Sequence, residues 1–234
     1  MTPATKARKG TAPDGQSSDR ARRQPERARQ AILKAALLEF AQEGASGARI
    51  DHIARAAHVN KALLYYYFKD KEQLHGAVLE QVFAGLAERV HEVLDRDLSP
   101  REKLLAYAGA HFDYIAASPL YPRVVQREMM RAGRKGSPHI RRIVERYFRP
   151  MQGRLMELFR AGMESGDFRR VDPAHFVFSI VAMNVFYFSS APVLALIRPG
   201  DPLASEAVAA RKAAVLDIVA AALFTPSPAG GSHP

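Results

Sequence analysis

The stretch Ala48–Lys71, ARIDHIARAAHVNKALLYYYFKDK, constrains this 234-residue chain more than any other. Ile50, Ile53, Ala54 and Ala57 recur with a 3.6-residue period and mark one short helix. Asn60 suits the N-cap of a second, whose apolar face is Leu64, Tyr67 and Phe68. Only His58–Asn60 separate the two. Two brief helices joined by so tight a turn form a helix-turn-helix, and the second helix of such a pair fits the major groove of DNA.

Charge points the same way. The formal net charge is +10, a balance that favours a polyanionic partner. Residues 1–30 hold eight basic side chains (Lys6, Arg8, Lys9, Arg20, Arg22, Arg23, Arg27, Arg29) against Asp14, Asp19 and Glu26, so half the net charge lies in the first eighth of the chain. Residues 1–24 offer a core almost nothing and read as a disordered basic arm. Such an arm either touches phosphates or the minor groove, or only solubilises the chain. Cysteine is absent, which excludes disulfides and thiolate metal sites and is compatible with a reducing cytoplasm. The first residues lack the apolar run of a signal peptide.

The remaining signals are all helical, so the expected class is all-α, with about nine helices. Pro25–Glu43 carries Ile32, Ala35, Ala36 and Phe40 on one face, with Gly44 as its C′ residue. Asp70 caps a helix running to about Asp95, with Gln73 in the reciprocal capping-box place. Ser99-Pro100-Arg101-Glu102 is a capping box with proline at N1. Further starts are expected near Pro119, at Ser137-Pro138 (with a distortion at Pro150), at Asp172-Pro173 and at Asp201-Pro202. The expected division is a DNA-binding domain over 25–85, a helical body over 86–224 and a frayed tail over 225–234.

The residues Ile50, Ile53, Ala54, Val59, Asn60, Lys61, Leu64, Tyr65, Tyr67, Phe68, Lys71, Glu72 and Leu74 stand at spacings that resemble the DNA-binding signature of TetR-type transcriptional regulators. The resemblance covers about residues 27–80. It implies a three-helix DNA-binding domain, a helical ligand-binding body, a homodimer formed by the last two long helices and, more often than not, a repressor. The family usually has glycine where this chain has His58, at a turn position that often needs φ > 0. It commonly has glycine and a polar residue where Ala62 and Leu63 stand, so base readout here is expected to be more apolar.

Eight residues are therefore candidates for contact with a pseudo-palindromic double-stranded operator. Arg49 can grip the backbone, Asn60 caps and adjoins it, and Lys61 can reach a phosphate or a base edge. Ala62 and Leu63 offer apolar base contacts. Tyr65 and Tyr66 point away from the Leu64/Tyr67/Phe68 face, since three consecutive helical positions span about 200° and cannot all be buried. Lys71, at the next helix N-terminus, adds its charge to the helix dipole.

All six internal methionines lie between residues 129 and 183. Met and aromatic residues line adaptable apolar pockets but are also ordinary core. Phe112, Met130, Phe159, Met163, Asn184 and Tyr187 are the candidates for binding a small, largely apolar effector, with His111 a weaker one. Phe176–Ile197 has no charge over 22 residues; with Ser179, Asn184, Ser189, Ser190 and Pro192 inside it, it reads as a helix buried between the core and a second subunit rather than a membrane anchor. The basic run Arg131–Arg149 reads as a solvated helix face. No HExxH or i,i+4 histidine pair, phosphate loop or nucleophile motif is present, so no enzyme activity, metal or cofactor is expected.

Overall fold

A computed structural model describes residues 15–118, 120–132 and 137–226. Its helices are α1 (Gly15–Gly47), α2 (Ile50–Ala56), α3 (Lys61–Tyr67), α4 (Lys71–Leu94), α5 (Pro100–Ala117), α6 (Tyr121–Ala132), α7 (Pro138–Ile143), α8 (Arg149–Glu164), α9 (Pro173–Ser189), α10 (Ala191–Ile197) and α11 (Ser205–Leu223). A π-helical turn, Val144–Phe148, joins α7 to α8, so the distortion expected at Pro150 begins just before it. With α7–α8 and α9–α10 each taken as one interrupted helix, the described residues hold nine, and no strand.

Two cores form. Ile32, Ala36 and Phe40 of α1, Ile53 and Ala54 of α2, Leu64 and Phe68 around α3, and Leu74 and Val78 of α4 make the N-terminal one. Leu79, Val82, Phe83, Leu86, Val90 and Leu94 of α4 join Leu104, Tyr107 and Ile115 of α5, Phe159 of α8, Ile180 of α9 and Val219 of α11 in the other. Helix α4 belongs to both. Full burial of one such side chain contributes about 1.5–3 kcal/mol.

Local signals place the helix ends. Gly44 stands at φ 72, where α1 breaks before one further turn to Gly47, and the Arg127 guanidinium donates to the Gln42 carbonyl at 2.7 Å beside it. Ser99 and Glu102 form the reciprocal capping box. Ser137 and Asp172 accept from Ile140 N–H and from Ala174 and His175 N–H. Asp70 accepts from Gln73 N–H at 2.7 Å, while Gln73 Oε1 reaches back to Lys69 N–H at 3.2 Å rather than to Asp70.

Four boundaries differ from expectation. Helix α1 begins at Gly15, so part of the expected disordered arm is helical. Residues 1–14 of that arm lie outside the described residues. Asp201 does not open α11: its carboxylate closes a local turn on Leu203 N–H at 2.8 Å, and the helix starts at Ser205. The apolar run 176–197 breaks at Ser190, where Pro192 lacks the N–H to continue it, and α9 and α10 meet at 66°. No single helix among the described residues is long and apolar enough to cross a bilayer. The tail is tied down at its start, because Arg101 Nη2 donates to Thr225 O and Oγ1 at 2.8 Å, Thr225 N–H donates to Asp167 O, and Phe224 stacks on Phe168. Residues 227–234 of the expected frayed tail lie outside the described residues.

The α2–α3 turn is a Schellman motif. Val59 N–H donates to Ala54 O at 3.0 Å and His58 N–H to Arg55 O at 3.1 Å, with His58 at φ 55 in the left-handed region. His58→Gly relieves that strain but adds freedom to the unfolded chain, so a net stabilisation of about 0.5–1 kcal/mol is expected in a denaturation titration.

Burial lowers the His111 pKa from its usual 6.5 to about 4, so the folded chain holds the ring neutral where the unfolded chain binds a proton. Its contribution is complete above about pH 6.5 and lost as the pH falls toward 4, by up to about 1.4 kcal/mol per pH unit. His111→Gln is expected to flatten the fall of the denaturation midpoint between pH 7 and pH 5.

Candidate nucleic-acid interface

Helix α3 has two faces. Leu64 is fully buried and Phe68 nearly so, with the Arg29 guanidinium 5.6 Å from the Phe68 ring centre. These contacts fix the helix against α1, α2 and α4. Lys61, Ala62, Tyr65 and Tyr66 face outward, Tyr65 at 49% and Tyr66 at 80% exposure. Tyr67, half-buried, packs edge-on to Tyr66 at 5.3 Å between ring centres and so braces the exposed phenol. Two phenols and an ammonium on the outward side of one short helix can donate hydrogen bonds to phosphates, and the rings can cover a thymine methyl.

The start of α3 is set by Asn60, whose Oδ1 accepts from Leu63 N–H at 2.7 Å. Asn60 is thus committed to capping. Lys61 pairs with Asp51 of α2, and the hydrogen bond from Lys61 holds the Asp51 carboxyl below its usual range. Because both side chains are exposed, a phosphate can compete for Lys61. The Arg49 side chain is exposed, while its backbone N–H donates to Glu39 Oε1 at 2.9 Å and holds the start of α2 on α1. His52, also exposed, lies 3.3 Å from the same oxygen. Leu63 is half-buried, while Ala62 is exposed.

Lys71 does something the sequence did not suggest. Its Nζ donates to Ser46 O at 2.8 Å and to Ala48 O at 3.1 Å, closing the α1–α2 connector against α4. One of these carbonyls lies in the last turn of α1 and the other in the connector that follows it. Two of its three ammonium donors thus brace the α1–α2 connector.

The six effector candidates do not surround one cavity. Phe159 is fully buried between Phe168 and Phe176, and Met163 packs on the same core. Phe112 is buried against Phe188. Met130 is 76% exposed on α6. Asn184 is a core tie: its Nδ2 donates to Ala108 O at 3.2 Å and lies 3.0 Å from His111 Nδ1. Tyr187 donates to Pro202 O at 2.6 Å at the edge of a cleft of about 450 Å³ between α9 and α11. A second cleft, of about 430 Å³, lies between α1, α4 and α5, lined by Leu37, Val82, Gly85, Tyr114, Leu120 and Tyr121. Sequence reasoning missed it because its lining comes from three separate segments, none with a motif.

The basic run 131–149 is partly spent on neighbours. Arg131 pairs with Glu72, Arg146 with Glu80 and Arg149 with Glu145; Arg134 and Lys135 lie outside the described residues.

Comparison with known proteins agrees with this geometry. Residues 32–78 match the model of bacterial regulatory proteins of the tetR family, and residues 100–219 that of the tetracyclin repressor-like C-terminal domain. The chain is 36% identical over 164 residues to the HTH-type transcriptional repressor SCO4008 of Streptomyces coelicolor, covering 70% of this chain and 79% of that protein. The ketosteroid transcriptional regulator KstR2 of Mycobacterium tuberculosis has the same fold, with a TM-score of 0.68 at 23% identity over 84% of this chain and 95% of that one. So does the transcriptional regulator FadR of Bacillus subtilis, solved with stearoyl-CoA, with a TM-score of 0.62 at 19% identity over 82% and 97%. An outward-facing recognition helix set by α1, α2 and α4, in a chain matched over both its halves, makes this a member of the TetR family of DNA-binding transcriptional repressors.

Proposed function

We propose that this chain is a cytoplasmic homodimeric repressor, not an enzyme, which holds a pseudo-palindromic operator through α3 and releases it when a small, largely apolar molecule enters its body. The outward face of α3 carries the reading: Tyr65 and Tyr66 are exposed on a helix whose other face is fully packed. Two copies put two such helices in successive major grooves, about 34–36 Å apart.

Pairing through α9 and α11 is supported by apolar side chains left outside the core. Phe178 and Phe186 are 71% and 72% exposed on α9, and Ile218 is exposed on α11. Exposed aromatic residues along one face mark an interface more often than a solvated surface. The cleft between α1, α4 and α5 is the best-placed site for an effector, because its walls belong to both cores. The stearoyl-CoA held by FadR and the ketosteroid in the name of KstR2 support an apolar effector. Release requires that the effector favour the form that does not bind DNA, by a coupling energy of about 1–3 kcal/mol.

Two measurements test the reading. Tyr66→Ala should weaken binding to a fragment selected from the source genome about tenfold in fluorescence anisotropy, with an unchanged melting temperature; equal affinity would remove α3 as the DNA-contacting element. Phe186→Glu should convert a dimer to a monomer in sedimentation equilibrium, and a dimer left intact places the contact on another face.

A further inference from the structure

One cluster at the seam of the two cores is not used by DNA binding. The first turn of α4 carries Glu72 and His75, three residues apart and so on one face. The first turn of α7 brings His139 beside them. One donor atom from each of the three lies within 4.8 Å of the other two, and His139 Nε2 is 2.8 Å from Glu72 Oε1. His139 can come this close because residue 76 is glycine: a Cβ there would stand 2.5 Å from His139 Cε1.

A fourth residue backs the cluster. Glu128 of α6 is buried, with Ser137 Oγ donating to its Oε1. Ser137 is also the N-cap of α7, so the same hydroxyl fixes His139 relative to Glu128. The other carboxylate oxygen, Oε2, has no hydrogen-bond partner among the described residues and lies 3.9 Å from His75 Nε2. A carboxylate behind the distal nitrogen of an imidazole is the usual partner of a metal-bound histidine, because it orients the ring and raises its basicity.

We propose that Glu72, His75 and His139 bind a divalent transition-metal ion of the Zn²⁺ type between the DNA-binding domain and the body, with Glu128 orienting His75. Two imidazoles and one carboxylate suit such an ion, whereas Mg²⁺ and Ca²⁺ take oxygen ligands. Donors at about 2.0–2.1 Å from a tetrahedral ion stand roughly 3.3 Å apart, so the wider separations close by up to about 1.5 Å on binding and the His139–Glu72 pair opens by about 0.5 Å. The competitor is internal. Arg131 Nη2 donates to Glu72 Oε1 at 2.6 Å, and Nη1 lies 3.5 Å from His75 Nδ1 and 3.9 Å from Glu128 Oε2. This guanidinium balances the carboxylates, and an arriving ion displaces it. A cleft of about 510 Å³ bordered by Glu72, Gly76 and His139 gives the ion a way in. Once bound, the ion ties the first turn of α4, five residues beyond Tyr66, to α7.

The test uses the full chain, stripped with a chelator and titrated with Zn²⁺ in a calorimeter, and with Co²⁺ followed by its visible absorption. One ion per chain with micromolar or tighter affinity is expected, with Co²⁺ bands of a four-coordinate nitrogen–oxygen site. Glu72→Gln and His139→Ala should each weaken binding at least tenfold, and Arg131→Ala should strengthen it. Glu72 is half exposed, so Glu72→Gln decides the matter if His139→Ala fails to fold. No stoichiometric uptake, or uptake equal in wild type and Glu72→Gln, overturns the proposal. So does an Arg131→Ala variant that loses stability without gaining Zn²⁺ affinity, since that is the behaviour of a plain ion-pair network.

Discussion

Helix α4 is the constraint on which the molecule depends. Its Leu74 and Val78 fill the N-terminal core, and its Val82, Phe83, Leu86 and Val90 fill the core of the body. At 24 residues it is about 36 Å long, and its backbone ladder is continuous. Helix α3, by contrast, has seven residues, too few to persist alone in water. It exists because Leu64 and Phe68 are buried against its neighbours. The position of the exposed tyrosines is therefore inherited from α1, α2 and α4. Any displacement of α4 by the body reaches α3 with little loss, because close-packed cores do not absorb movement.

Polar contacts from the body fasten α4 along its length. Arg131 holds Glu72, Arg146 and Tyr147 both reach Glu80 Oε1 at 2.7 Å, and Arg154 reaches Asp95. Arg127 clamps the end of α1. Exposed ion pairs of this kind contribute about 0–1 kcal/mol each, far less than the buried apolar side chains beside them. Their weight is in register. They select one placement of α6 and of the α7–α8 helix against α4 from several that burial alone would tolerate, and they can be exchanged at small cost. That combination suits the two-state joint that the proposed release of DNA would require.

Legibility from the sequence tracked the range of the interaction. The helix-turn-helix, the caps at Asn60, Asp70, Ser99, Ser137 and Asp172, and the break at Gly44 are set by residues within a few positions of one another, and each could be read. Asp201-Pro202 carried the same local signal as Asp172-Pro173, yet its carboxylate satisfied a turn on Leu203 instead, since the residues after the proline decide between turn and helix. Lys71 was legible as a cation at a helix N-terminus, but not as a brace, because Ser46 and Ala48 lie over twenty residues away. Among the effector candidates, hydrophobic type could not separate Phe159, sealed in the core, from Met130, open to solvent. The Glu72–His75–His139 cluster was invisible for the same reason: its third member is 64 residues beyond the second.

Asn184 shows how a buried polar tie bears on assembly. Apolar packing between α5 and α9 would tolerate rotation of α9 about its axis, because one leucine-sized side chain can replace another. An amide cannot shift so freely, since leaving its donors unpaired in the core costs about 1–3 kcal/mol. Asn184 Nδ2 is committed to Ala108 O, with His111 Nδ1 beside it, so the rotation of α9 is fixed. Phe186 comes two residues later and is turned about 200° round the helix; Phe178, six residues earlier, is turned about 240° the other way. Both are consequently held outside, on the face remote from α5. A residue that looks like a ligand contact in the sequence also sets which side of α9 faces outward, the side through which we propose that a second copy pairs.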